Sequence, residues 1–153
     1  LAHRRYGDVV DKGGYSVGKI SETKRVVVCT MGDGEAMFGN IGSALWSCAH
    51  YGIGVVYLIL NNACWGIEWP VIERAAKQWA KKASDYEFVD IDNPRIDFEV
   101  LARSLGVYSA KADTPRELER GLRKCIALAQ KGKPSLLEAR MEKYTGPRPS
   151  SVP

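Results

Sequence analysis

The sequence is poor in the residues that mark several specialised classes of protein. Its 153 residues include four cysteines and two histidines, and no two cysteines are spaced as a CxxC pair. Iron–sulfur clusters need grouped cysteines, so we expect no such cluster within this chain. Since secretory features are absent as well, we predict that the cysteines are reduced thiols in the core rather than disulfides.

Long apolar runs and a large excess of one charge are also missing. The longest apolar run, from Val55 to Leu60, is too short to cross a bilayer. The 22 basic and 18 acidic residues are scattered and leave a net charge of +4, which does not indicate nucleic-acid binding. We therefore predict a cytoplasmic protein that binds neither membrane nor nucleic acid. Because the sequence starts at Leu1 rather than Met, we interpret it as a processed chain or a fragment.

Two short apolar runs on either side of a helical pattern are the clearest structural signals. Residues 25–31 and Val55–Leu60 are rich in β-branched and apolar residues, which is typical of strands buried on both faces. Between them, residues 35–51 carry apolar side chains at helical spacing and predict one helix. A strand, a helix and a strand in this order form a parallel pair with a right-handed crossover.

The rest of the chain continues the alternation of helices and strands. The patterns predict helices over 71–84, 98–105 and 115–130 and strands over 107–112 and 135–141. Together these elements predict an α/β fold, a doubly wound and mainly parallel sheet flanked by helices. We assign residues 25–143 to this domain, 1–24 to an irregular segment that could contribute to an interface, and 144–153 to a flexible tail.

Polar residues follow the first two predicted strands at the edge where such sheets bind ligands. Gly32-Asp33-Gly34 follows the first strand, and Asn61-Asn62 ends the second. A carboxylate of Asp33, an amide oxygen of Asn62 and a backbone carbonyl such as that of Cys64 are ligands that suit Mg²⁺. The glycines allow close backbone approach, and the next helix begins with free N–H groups. These parts predict a cradle for a diphosphate bridged through Mg²⁺.

The same residues resemble the signature of thiamine-diphosphate enzymes. Gly32-Asp33-Gly34 followed by Asn61-Asn62 is similar to that family's cofactor motif, and Gly132-Lys133-Pro134-Ser135 with Leu136-Leu137-Glu138 resembles its last strand. The resemblance is to the diphosphate-binding domain of the benzoylformate decarboxylase and acetolactate synthase group. It implies thiamine diphosphate and Mg²⁺ as cofactors.

The resemblance also implies a role for individual residues. Asp33, Asn62 and the main-chain carbonyl of Cys64 would be the metal ligands. The residues expected to bind the cofactor are Gly32, Asp33, Gly34, Glu35, Asn62, Cys64, Trp65 and Gly66, and those expected to face the substrate are Ile67 and Glu68. Glu35 stands where most of these enzymes have a small residue, although transketolases share Gly-Asp-Gly-Glu. The catalytic residue of this chain stays unknown, with Glu68 as a candidate.

In the resembled family, the glutamate that activates the cofactor lies in a separate pyrimidine-binding domain. A chain of 153 residues is too short for both domains, so we expect a pyrimidine-binding partner subunit or a missing domain, and dimers of such pairs. The implied substrate is a small 2-oxo acid or acyl compound, with decarboxylase, lyase or carboligase activity. The alternatives are a subunit of a 2-oxo acid oxidoreductase, a transketolase-like enzyme, or a non-catalytic nucleotide- or flavin-binding module. The absence of GxGxxG and GxxxxGK[ST] patterns weighs against the last.

Overall fold

The computed structural model describes residues 26–78 and 89–143. The described strands are β1 (Val27–Gly32), β2 (Val55–Asn61), β3 (Tyr108–Ala112) and β4 (Ser135–Arg140). The described helices are α1 (Asp33–Phe38), α2 (Ile41–Tyr51), α3 (Trp69–Gln78), α4 (Phe98–Ser104) and α5 (Pro115–Ala129), with a 3-10 turn at Gly66–Glu68. The predictions for residues 1–24 and 144–153, and for the end of the helix expected over 71–84, lie outside the described residues.

The described strands form one parallel sheet in the order β1-β2-β4-β3. Alternate residues of a strand point to opposite faces. Tyr57, Ile59 and Leu136 therefore pack with α1, α2 and α4 in one core cluster. Val56 and Leu137 pack with α5 in a second cluster on the other face. This arrangement confirms the predicted doubly wound α/β fold.

The expectation that the first strand is buried on both faces is wrong. β1 pairs with β2 and lies at the edge of the described sheet. Val27 and Val28 are 55% and 46% exposed, whereas Cys29 and Met31 pack against the first core cluster. An apolar run indicates a strand but does not give its place in the sheet, because strand order depends on contacts distant in sequence.

The single helix predicted over 35–51 is also wrong, because the structure divides it into α1 and α2. Gly39 follows α1, and Asn40 has a left-handed backbone with φ of 49°. Asparagine adopts this conformation more readily than most residues with a side chain. The break lets Ile41 and Leu45 of α2 enter the core while Phe38 stays 81% exposed.

The remaining described elements begin close to their predicted positions, and α4, α5, β3 and β4 also end close to them. α5 starts as expected, with the Thr114 hydroxyl accepting the Glu117 N–H and Pro115 at the first position. It packs closely on the sheet, since a Cβ at Gly54 would overlap the backbone of Ala129. None of the four cysteines, all of which lie within the described residues, is part of a disulfide, and three of them are buried, as predicted. In the described ranges we find no helix that is long and apolar enough to cross a membrane.

Candidate cofactor site

The two polar motifs meet at the carboxyl end of the sheet. β1 and β2 are paired in parallel, with Gly32 opposite Leu60. Asp33, the first residue after β1, therefore lies beside the chain that leaves β2 at Asn61. The backbone N–H groups of Asn62 and Ala63 are close enough to the Asp33 carboxylate to lower its pKa. The structure thus brings together the residues that the sequence motifs predicted to converge.

Asp33 is a buried carboxylate with an unsatisfied oxygen. Its residue is 3% exposed, and Oδ2 has no hydrogen-bond partner within the part of the chain that the structure describes. Burial raises the pKa of Asp33 above its ordinary value, although four backbone N–H groups act in the opposite direction. A carboxylate in this state is stabilised by a cation that reaches Oδ2.

The loop after β2 is held in shape by its own asparagines. The Asn61 side-chain oxygen accepts the Ala63 N–H at 2.9 Å, and the Asn62 side-chain oxygen accepts the Cys64 N–H at 3.2 Å. Ala63 has a left-handed backbone with φ of 58°, which a residue with a side chain seldom adopts. Two local hydrogen bonds therefore fix the turn that carries the predicted ligands Asn62 and Cys64.

A second segment supports this loop from the side. The Trp65 N–H donates to the Val89 carbonyl at 2.8 Å, and the Ile91 N–H donates to the Ala63 carbonyl at 3.2 Å. Lys143 ties the segment further, with Nζ 2.7 Å from the Asp90 carboxylate. The loop that approaches Asp33 is therefore held by two backbone hydrogen bonds to this segment.

Trp65 packs directly against Gly34. A Cβ at Gly34 would overlap the Trp65 indole ring, so this close approach requires glycine. The ring also stacks on Phe38, with centroids 5.2 Å apart. The indole Nε1 is buried and lacks a hydrogen-bond partner among the described residues. A donor and an anionic acceptor, Trp65 Nε1 and Asp33 Oδ2, are thus both left unsatisfied where the two motifs meet.

Glu35 uses its side chain for the backbone at the start of α1. Its carboxylate accepts the Gly32 N–H at 2.8 Å. This contact gives the glutamate a local role that a small residue at the same position could not fill.

The predicted substrate-facing residues lie on the surface of the chain. Gly66, Ile67 and Glu68 form the 3-10 turn, in which the Glu68 N–H donates to the Trp65 carbonyl at 3.0 Å. Ile67 is 85% exposed, and Glu68 is exposed as well. No enclosing surface of the described chain covers them, so any substrate pocket at this turn needs atoms from elsewhere.

The candidate metal ligands at the sheet edge are few, and all of them are oxygen atoms. Residues 26–78 and 89–143 contain no group of three or more His, Cys, Asp or Glu side chains that could hold a metal ion. The candidate ligands are one carboxylate, one amide and one carbonyl, and such a set suits Mg²⁺ bound together with phosphate and water. Zinc and iron sites differ from this set, because most of their ligands are the nitrogen and sulfur atoms of His and Cys side chains.

Two residues linked to this site were missed by the sequence analysis. Asn61 was part of the motif but received no role, and Glu138 was interpreted only as part of a strand. Asn61 Nδ2 donates to Glu138 Oε1 at 2.9 Å, and both residues are buried. A glutamate within the apolar run Leu136-Leu137-Glu138-Ala139 is the signal that could have identified it, since an unpaired buried charge is costly.

Comparison with known proteins identifies the family. Residues 14–139 match the model of the thiamine pyrophosphate enzyme, C-terminal TPP binding domain. The chain is 32% identical over 109 residues to a benzoylformate decarboxylase of Pseudomonas aeruginosa, covering 71% of this chain and 19% of the relative. It is 29% identical over 108 residues to a Mycobacterium tuberculosis protein named as an acetolactate synthase large subunit, covering 71% and 21%.

Solved structures give the same result for the fold. The thiamine diphosphate-dependent 4-hydroxybenzoylformate decarboxylase of Rhodococcus jostii RHA1 superimposes with a TM-score of 0.65 and 30% identity, over 78% of this chain and 20% of that one. Benzoylformate decarboxylase from Polynucleobacter necessarius shares the fold, with a TM-score of 0.61, 20% identity and coverage of 82% and 21%. The chain thus spans about a fifth of the length of these relatives. The predicted cofactor class is confirmed, and this chain belongs to the thiamine pyrophosphate enzyme family as a C-terminal TPP-binding domain.

Proposed function

We propose that this chain anchors the diphosphate of thiamine diphosphate, through Mg²⁺, in an enzyme that cleaves or forms a carbon–carbon bond next to a carbonyl. The substrate class is a small 2-oxo acid, and the reaction is a decarboxylation or an acetolactate synthase-like carboligation. The names of its relatives support this class. Because the chain spans about a fifth of their length, the proposal includes a pyrimidine-binding partner that completes the site.

The observation that carries the proposal is the unsatisfied carboxylate of Asp33. Its Oδ2 is buried and has no hydrogen-bond partner in the described ranges, and its pKa is raised by burial. Buried charges are normally paired or bound to a metal. A divalent cation at Oδ2 would remove the cost of burying this charge, which makes Asp33 the strongest candidate ligand.

The other two proposed ligands come from the loop beside Asp33. Asn62 would contribute its side-chain oxygen and Cys64 its backbone carbonyl. Asn62 Oδ1 already accepts the Cys64 N–H, and an amide oxygen has a second lone pair for a cation. Mg²⁺ commonly takes few protein ligands and completes its octahedron with phosphate and water. A set of three protein oxygens leaves room for both.

The diphosphate would lie beside Gly34 and Trp65. The absence of a Cβ at Gly34 lets the Trp65 ring pack there, and the buried Trp65 Nε1 offers a donor that has no hydrogen-bond partner among the described residues. Glu35 contributes its backbone, while its side chain holds the Gly32 N–H. These contacts would orient the anionic end of the cofactor against the sheet edge and exclude water from it.

The chemistry of the bond change belongs to the cofactor, which when bound takes up the electron pair released next to the substrate carbonyl. This chain's residues bind and orient that group, and the activating glutamate is expected on the partner. The exposed turn with Ile67 and Glu68 would form one wall of the substrate pocket, to be closed by the partner. We keep Glu68 as a candidate acid for substrate rather than for the cofactor.

Calorimetry on the assembled protein, this chain together with the rest of its enzyme, tests the proposal. We expect binding of thiamine diphosphate that requires Mg²⁺, and no binding of ADP or FMN. Since both reactions release carbon dioxide, the organic product distinguishes them: benzaldehyde from benzoylformate indicates a decarboxylase, and acetolactate from two pyruvate molecules indicates a carboligase. Failure to bind thiamine diphosphate in the presence of Mg²⁺ and the partner, or preferential binding of ADP or FMN, would reject the proposal.

A further inference from the structure

Glu138 is a buried carboxylate that the proposed function does not use. It lies within β4 and is 1% exposed. Its Oε1 accepts a hydrogen bond from Asn61 Nδ2 at 2.9 Å and lies 3.9 Å from Arg140 Nε. Its Oε2 is buried and lacks a hydrogen-bond partner among the described residues. A buried charge that is incompletely paired lowers the stability of the fold, so its presence needs an explanation.

The register of the sheet explains why Glu138 reaches Asn61. Glu138 is opposite Ile59 in the parallel pair of β2 and β4, and Arg140 is opposite Asn61. Residues two apart on a strand share one face, so Glu138 and Asn61 are diagonal neighbours on the same face. A shift of one residue between these strands would separate them.

Asn61 connects Glu138 to the loop that carries the proposed metal ligands. Its Nδ2 donates to Glu138, and its Oδ1 accepts the Ala63 N–H at 2.9 Å. An ionised carboxylate accepts hydrogen bonds and donates none. Glu138 therefore binds the nitrogen of the Asn61 amide, and the amide oxygen is directed to the loop. The hydrogen bond to Ala63 in turn supports a left-handed backbone that would otherwise be unfavourable.

We propose that Glu138 and Asn61 are positioning residues that fix the loop carrying Asn62 and Cys64 in the conformation that binds Mg²⁺. The inference deepens and rests on the proposed function. Glu138 orients the Asn61 amide, Asn61 holds the Ala63 N–H, and Asn62 Oδ1 and the Cys64 carbonyl are thereby directed to the edge occupied by Asp33. Groups that orient metal ligands in this way commonly affect metal affinity by about 10- to 100-fold.

The alternative is that Glu138 only contributes to the stability of the sheet. In that case its substitution lowers the melting temperature but leaves the Mg²⁺ affinity of the folded protein unchanged. Arg140 does not complicate the comparison, because it also pairs with Asp113 at 3.4 Å and keeps that partner when Glu138 is replaced.

The experiment measures the Mg²⁺ dissociation constant of the assembled protein by calorimetry at saturating thiamine diphosphate. Glu138→Met keeps the length of the side chain but removes the acceptor, and Glu138→Gln keeps an acceptor oxygen without the charge. We expect Glu138→Met to weaken Mg²⁺ binding at least about tenfold and Glu138→Gln to stay within about fivefold of the parent. Ser135→Ala is the matched control, because Ser135 is fully buried at the other end of β4 and bonds to the Cys125 carbonyl. It should leave the affinity unchanged.

Asn61→Ala tests the same chain of hydrogen bonds without changing β4, and keeps the test decisive if Glu138→Met does not fold. We expect at least about tenfold weaker Mg²⁺ binding, and no further loss when Glu138→Gln is added. Parent-like affinity of folded Glu138→Met or of Asn61→Ala overturns the positioning role, as does a Glu138→Gln variant as weak as Glu138→Met. If the parent protein itself does not bind Mg²⁺ with thiamine diphosphate, the proposed function fails instead.

Discussion

Replacing Asp33 by Asn should stabilise the unliganded protein while it removes the metal site. Asp33 is 3% exposed, and its Oδ2 has no hydrogen-bond partner among the described residues. Asn has the same shape but carries no charge. The substitution therefore separates the cost of burying a carboxylate from the effects of packing.

The magnitude follows from two opposing contributions at this carboxylate. A buried polar atom without a partner costs about 1–3 kcal/mol, and more when it is charged. Backbone N–H groups of Asp33 itself, Gly34, Asn62 and Ala63 offset part of that cost. Because the pKa of Asp33 is nevertheless raised, burial outweighs them. We expect the free energy of unfolding of Asp33→Asn to exceed that of the parent by about 1 kcal/mol, or about 4 °C in Tm.

Thermal unfolding with and without Mg²⁺ and thiamine diphosphate provides the assay. A ligand present at about 100 times its Kd stabilises the folded state by about 2.7 kcal/mol. The parent should gain this stabilisation and Asp33→Asn should not, so the order of stability reverses when ligand is added. Asp113→Asn is the matched control, because that carboxylate is 60% exposed. It should change neither the unliganded Tm nor the response to ligand appreciably.

The pH dependence of the stability difference gives an independent check. Since the folded-state pKa of Asp33 is raised, its unfavourable contribution is absent at low pH and develops as the pH rises through the folded-state pKa. The advantage of Asp33→Asn should therefore shrink as the pH falls toward 3.8, the ordinary aspartate value. An unliganded Asp33→Asn protein less stable than the parent at neutral pH would refute the reasoning.

Three further predictions concern the packing around the site and the fold. Trp65→Phe removes the unsatisfied indole N–H but keeps an aromatic ring. Calorimetry should therefore show about fivefold to tenfold weaker binding of thiamine diphosphate and unchanged binding of thiamine. Equal losses of affinity for both ligands would contradict a contact with the diphosphate. Gly54→Ala would place a Cβ in the position of the Ala129 backbone, and urea unfolding should show a free energy of unfolding lower by about 2–3 kcal/mol. A decrease below about 0.5 kcal/mol would contradict the close approach. Thr114→Ala removes the hydroxyl that accepts the Glu117 N–H, and urea unfolding should show a loss of about 1 kcal/mol. A free energy of unfolding equal to the parent's would show that the cap contributes nothing.

The elements of this fold were predictable where local chemistry decides them. The start of α5 follows from Thr114, Pro115 and Glu117, whose roles depend on residues three positions apart or fewer. The exposure of β1 was not predictable in this way, because it depends on which strands lie beside it. The break at Asn40 was missed for a related reason: the periodic apolar residues on both sides fit one helix, and a left-handed residue leaves no clear mark in that pattern.

The same distinction applies to the residues of the candidate site. Asp33 and Asn62 were predicted to converge because the carboxyl ends of neighbouring parallel strands meet at one edge, and the register of Gly32 with Leu60 brings them there. Glu138 could not be linked to Asn61 from sequence, since their contact depends on the register between β2 and β4, far apart along the chain. A pattern identifies which residues carry polar groups, while strand order and register decide which of those groups touch.

The unsatisfied polar atoms of the fold support the proposed binding site at the carboxyl end of the sheet. Within the described part of the chain, the buried side-chain atoms without a hydrogen-bond partner are Asp33 Oδ2, Trp65 Nε1 and Glu138 Oε2. Native proteins leave few such atoms, and each needs a reason. Two of them flank the proposed diphosphate site, and the third belongs to the residue that orients the loop. Since a fold optimised for stability alone would pair or remove these groups, their concentration here indicates a site that is completed by what it binds.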